Sequence, residues 1–119
     1  MATYSKTILS GSTDGKGVLV AATATAGTLI HTGSATATTL HEVWLYAVNT
    51  SASDVKLTVE WGEATAPNGN IEYTVKAENG LYLIVPGLLI KGNASALTVK
   101  AFAATASVVV VHGYVNVIA

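Results

Sequence analysis

Apolar residues recur at every second position along much of this chain, and a period of two belongs to strands, where successive side chains point to opposite faces. Val55, Leu57, Val59 and Trp61 share one parity, while Asp54, Lys56, Thr58 and Glu60 share the other. The next run repeats the pattern, with Ile71, Tyr73, Val75 and Ala77 set against Glu72, Thr74, Lys76 and Glu78. Pro67-Asn68-Gly69-Asn70 between them supplies turn chemistry. No segment carries the 3.6-residue apolar period of an amphipathic helix.

Other runs are apolar at both parities. Val43 to Val48, Leu81 to Val85, Leu88 to Ile90 and Val108 to Val111 have no polar side, so something must cover their second face. Further strands are expected at Lys6 to Leu9, Val18 to Thr25, Thr28 to Thr32 and Leu97 to Phe102. Together these predict an all-β fold, an antiparallel β-sandwich that is jelly-roll-like, with roughly eight to ten short, evenly spaced strands.

The 119 residues suit a single domain, 1–119, with one core. The polar stretch 1–17 reads as an N-terminal arm that orders on contact. Half of the residues are apolar, 11% are charged and the net charge is −1, so self-repulsion does little to keep copies apart. The six Lys and Arg residues are scattered singly, which argues against a nucleic-acid partner. The absence of cysteine removes disulfides, thiolate catalysis and Cys-based zinc sites together. No uncharged apolar run approaches the roughly 20 residues of a membrane-spanning helix. No apolar stretch follows Lys6 near the start, which points to synthesis and folding in a cytoplasm. On that reading Asn49-Thr50-Ser51 and Asn93-Ala94-Ser95 match the glycosylation pattern by coincidence.

Asn79-Gly80 between two apolar runs suits a two-residue type I′ hairpin. In that arrangement Lys76 faces Leu83, and Leu81, Leu83 and Val85 lie on an outer face available to another chain. The alternative is that the chain changes sheets here and both faces are internal. Pro86-Gly87 fits the centre of a type II turn that ends the strand.

Residues able to do chemistry are present but do not form a catalytic, cofactor or metal site. Ser10 to Gly17 resembles a phosphate-binding loop superficially, yet Ser10 stands at the first required glycine and Gly17 at the magnesium-binding hydroxyl position. His31, His41 and His112 are too widely spaced for a short metal motif and read as polar positions at strand ends. Glu60, Glu63, Glu72 and Glu78 could supply a glycosidase pair, but three of them alternate with Lys and Thr as solvated charges do. The Ala/Thr stretches, such as Ala21 to Ala26, lack the many in-register copies an ice-binding surface needs. Trp44, Tyr46, Trp61, Tyr73, Tyr82 and Tyr114 could stack on sugar rings, although large rings within apolar strands more often pack in cores or interfaces.

The blocks His41 to Asn49, Val55 to Gly62, Gly80 to Gly87 and His112 to Asn116 resemble small virion proteins of tailed bacteriophages. The likeness covers roughly residues 41–118. It implies a non-enzymatic β-sandwich component of the virion, a capsid decoration or cement protein with no catalytic residues and no cofactor. Its implied partners are itself, as a homo-oligomer such as a trimer, and the major capsid protein. Leu81, Leu83, Val85, Trp44 and Tyr46 are the expected interface residues. The competing expectation is a carbohydrate-binding or host-recognition module of a phage tail or fibre.

Overall fold

The computed structural model describes residues 2–119, and among them every regular element is a strand. These are β1 (Tyr4–Ile8), β2 (Val18–Leu19), β3 (Thr28–Thr32), β4 (Leu40–Asn49), β5 (Val55–Trp61), β6 (Asn70–Val75), β7 (Tyr82–Lys91), β8 (Thr98–Ala103) and β9 (Val109–Ile118). They form two antiparallel sheets, giving the β-sandwich that the alternating pattern predicts. Sheet A runs β1-β9-β4-β7, with β2 also on β9, and sheet B runs β3-β8-β5-β6.

From β2 onward the pairing is nested: β2 with β9, β3 with β8, β4 with β7, and β5 with β6. The innermost pair turns at the Pro67-Asn68-Gly69 segment, where Asn70 N–H donates to Pro67 O. Wrapping this long hairpin on itself adds the β4–β9 and β5–β8 contacts that complete each sheet. The core lies between the sheets. Val43, Leu45, Ala47, Val85, Ile90, Val109, Val111 and Val115 face inward from sheet A. Val55, Leu57, Val59, Val75, Val99, Ala101 and Ala103 meet them from sheet B, all nearly or fully excluded from solvent.

The β6–β7 connection differs from a tight hairpin. β6 sits at one edge of sheet B and β7 at one edge of sheet A, so residues 76–81 carry the chain between sheets. Glu78 and Gly80 adopt positive φ in that crossing. The pairing of Lys76 with Leu83 therefore does not form, and β7 aligns with β4 instead. Pro86-Gly87 does not end the strand either. Gly87, at φ +75°, is an extra residue between the Trp44–Pro86 and Val43–Leu88 pairs, and β7 continues to Lys91. Proline is tolerated there because β7 is an edge strand whose unpaired side needs no donor. The run expected from Val18 to Thr25 is a strand only at Val18–Leu19, although Val20 still bonds to Val109 and Ala22 to Ala103 through the backbone.

Within the expected N-terminal arm, residues 4–8 form β1 on β9, exposed at all five positions. Met1 of that segment lies outside the described residues. Leu9 then enters the core, and Gly11 N–H donates to Ile30 O at the edge of sheet B. This short stretch thereby ties the two sheets together.

Asn49 closes the far end of β4. Its buried side chain donates to Ser53 O (2.7 Å) and Val75 O (3.0 Å) and accepts from the N–H and hydroxyl of Ser51. The amide that would carry a glycan is thus fully engaged. Replacing Asn49 with Ala leaves the buried Val75 carbonyl without its side-chain donor, and we expect a loss of about 1–3 kcal/mol in urea unfolding with the slope unchanged.

Candidate functional site

All the runs that are apolar at both parities fall in adjacent strands of one sheet, β7, β4 and β9. Their inner sides fill the core, and their outer sides form one continuous surface turned away from sheet B, with Gly17 packed against Val110 and His112 at its margin. A compact monomer of this mass exposes roughly 6,000 Å², and the protein exposes 6110 Å². The surplus is therefore one of composition on this face, not of area.

Paired residues share a face, so the register reads the surface out in rows. Leu19, Val110 and Val48 form the first row, and His112, Tyr46 and Leu83 the second. Ile8, Tyr114, Trp44 and Pro86 form the third, and Lys6, Asn116, Glu42 and Leu89 the fourth. Tyr4, Ile118, Leu40 and Lys91 complete it. Of these, Tyr4, Ile8, Leu19, Leu83 and Leu89 are exposed large apolar side chains. An open groove of about 460 Å³ lies along Tyr4, Lys6, Glu42, Asn116 and Ile118.

The aromatic centre of the face is rigidly held. The Trp44 and Tyr114 rings are nearly parallel, 8° apart in plane and 6.1 Å between centroids. A Cβ added at Gly87 would come within 2.8 Å of the Trp44 indole, so the indole packs against the bare glycine backbone. Lys6 Nζ lies 4.8 Å from the centroid of Tyr114 on its β1 side. Gly87, Trp44, Tyr114 and Lys6 thus make a continuous row across the sheet. Trp61 packs against the core from sheet B and adds nothing to this row.

Glu42 fixes the stack from below. Its Oε1 accepts from Trp44 Nε1 (2.7 Å) and Asn116 Nδ2 (2.8 Å), bonds that hold its carboxyl below the usual carboxylate range. Among the described residues the ion pairs are Lys56–Glu72 and Lys76–Asp54, both on sheet B, so Glu42 and Lys6 have no charged partner inside the protomer.

Of the expected interface residues, Trp44 and Tyr46 stand half-buried on this face, Leu83 is exposed beside Tyr46, and Leu81 is exposed just before β7. Val85 is the correction. It is 2% exposed and points into the core opposite Leu45. Ile84 is an extra residue between the Leu45–Val85 and Tyr46–Leu83 pairs, and this bulge breaks the alternation that would have put 83 and 85 on one side.

The structure also assembles two clusters that local spacing conceals. His31 and His41 meet inside the sandwich, with His31 Nε2 2.8 Å from His41 Nδ1. Ser10 N–H donates to His31 Nδ1 (3.0 Å). An amide can only donate, so His31 carries its proton on Nε2 and His41 accepts through Nδ1. Burial and the neighbouring His41 lower the His31 pKa to about 4, and burial lowers that of His41. Glu60, expected among solvated charges, is 2% exposed instead. Its two oxygens accept from Thr25 Oγ1 and Gly27 N–H, both at 2.7 Å, because the 25–27 segment folds over that side of sheet B. Glu63 and Lys100 line a hollow of about 150 Å³ beside it, whereas Glu72 is paired with Lys56.

Comparison with protein-family models, curated proteins and solved structures finds no match to this chain.

Two outcomes follow from this geometry. Unfolded His31 binds a proton below pH 6.5 that the folded protein refuses until about pH 4. Stability should therefore be complete above pH 6.5 and fall between 6.5 and 4, by up to about 1.4 kcal/mol per pH unit. Urea midpoints across that range should show the slope, and His31→Gln should flatten most of it. Gly87→Ala should displace the indole and force a strained φ, costing about 2 kcal/mol and shifting Trp fluorescence.

Proposed function

We propose that this chain is a non-enzymatic structural protein of a phage virion, a decoration protein that stabilises the head by laying the outer face of sheet A against neighbouring protein. The observation that carries the reading is that face: largely apolar rows across the five-stranded sheet A, built around a preorganised Trp44–Tyr114 pair. Rigid aromatic centres with a polar margin are what protein contacts use, since little side-chain freedom is lost on docking.

The nested pairing of β2 with β9, β3 with β8, β4 with β7 and β5 with β6 supports a jelly roll, an architecture frequent in viral capsid proteins. The blocks within residues 41–118 that resemble tailed-phage virion proteins supply the setting. Its mechanism is burial: roughly 400–500 Å² of face in plan removes apolar area worth on the order of 10 kcal/mol before the costs of association.

Leu83→Asp tests this directly. Leu83 is 42% exposed, so the substitution should leave the thermal midpoint within a few degrees while placing a charge in the contact. Binding of the purified variant to heads lacking this protein, measured by co-sedimentation, should weaken at least about tenfold, or 1.4 kcal/mol. Wild-type protein that does not bind such heads, or a variant that binds them equally well, overturns the proposal.

A further inference from the structure

We infer that the β1–β9–β4 part of the outer face of sheet A is occupied by a second copy of this chain, docked face to face about a two-fold axis running along β9, which leaves β7 and its Leu83 uncovered. The inference rests on that face being the contact surface and adds its partner.

β9 has β4 on one side and β1 and β2 on the other. Across it, Val48 is matched by Leu19, Trp44 by Ile8, and Glu42 by Lys6. Apolar residues mirror apolar ones, and Glu42 mirrors Lys6; the remaining charge of the face, Lys91 at the end of β7, has no mirrored strand beneath it. Flanking strands lie about 4.8 Å to either side, so turning one copy over about β9 exchanges these positions. Glu42 then lies over the second copy's Lys6, and Lys6 over the second copy's Glu42. An axis along β4 would set Glu42 against Glu42, and one along β1 would set Lys6 against Lys6. Charge therefore selects β9, and a contact of this kind is self-complementary by construction.

The side chains are prepared for it. Both bonds accepted by Glu42 go to Oε1, which leaves Oε2 free, and the groove of about 460 Å³ beside it gives an incoming lysine room. Lys6 is steadied on the Tyr114 ring without an anionic partner. Packed sheets cross at roughly 30°, so pairs one strand from the axis keep their register best. A face of roughly 400–500 Å² is smaller than the 800 Å² or so per partner of standard complexes, which predicts a reversible dimer in the micromolar range.

Sedimentation equilibrium of the full chain tests the arrangement. Wild type should show a monomer–dimer equilibrium, and Glu42→Lys and Lys6→Glu should each weaken it at least about tenfold through like-charge contacts. Mixing the two variants should restore dimers close to wild-type affinity, because each then faces its opposite charge twice. Glu42→Gln, which keeps an acceptor for Trp44 and Asn116, should give a smaller loss without disturbing the fold. Either reversal self-associating like wild type, or a mixture of folded variants that stays monomeric, overturns the inference. Wild type that stays monomeric at millimolar concentration, yet binds heads in a Leu83-dependent way, overturns the second copy alone. Leu83→Asp protein that binds heads normally instead removes the function proposed above.

Discussion

A pleated strand cannot turn one side chain inward without turning the next one outward, and the molecule is organised by how each sheet treats that second face. Sheet B resolves it in the ordinary way. Lys56 pairs with Glu72 and Lys76 with Asp54, while Thr25 and Gly27 fasten a segment of chain over Glu60. Sheet A leaves its second face apolar and orders it with the Glu42–Trp44–Asn116 hydrogen bonds. Both sheets rely on the same inner core of small and branched side chains, so the asymmetry between them is one of surface chemistry alone.

The part of this legible from residues is the part that rests on period. β5 and β6 were readable because Val55, Leu57 and Val59 alternate with charges, and the structure pairs these residues with Val75, Tyr73 and Ile71. The two-sided runs were readable as needing cover, although only the topology gathers them into one sheet. What escaped the sequence is what bulges and crossings decide. One extra residue at Ile84 sends Val85 into the core, and a sheet change after Val75 replaces the hairpin that Asn79-Gly80 suggests. The His31–His41 contact joins neighbouring strands in sequence that lie in different sheets, and no local spacing announces it. Glu60 reads as solvent-facing by parity, and parity is right; a loop from 35 residues earlier in the chain buries it.

The stretch around Ser10 connects several of these features. Leu9 fills the core, Ser10 caps the His31 ring and accepts from Thr32 N–H, and Gly11 bonds to β3, so a few residues anchor an otherwise exposed β1. Lys6 reaches Tyr114 only because that anchorage sets the register of β1 on β9. Proton uptake by His31 would oppose its bond from the Ser10 amide, and thereby loosen the strand that carries Lys6.

Pro86, the Gly87 bulge and the Ile84 bulge all lie on β7, at a free edge of sheet A. An apolar edge rich in exposed leucine is ordinarily a template on which further strands add without limit. Here proline removes a donor from the strand, and the two irregularities bend the ladder out of line. Growth by endless sheet extension is thereby discouraged, while contact through the flat of the sheet is left open. A protein this greasy can then form small closed assemblies and escape fibres.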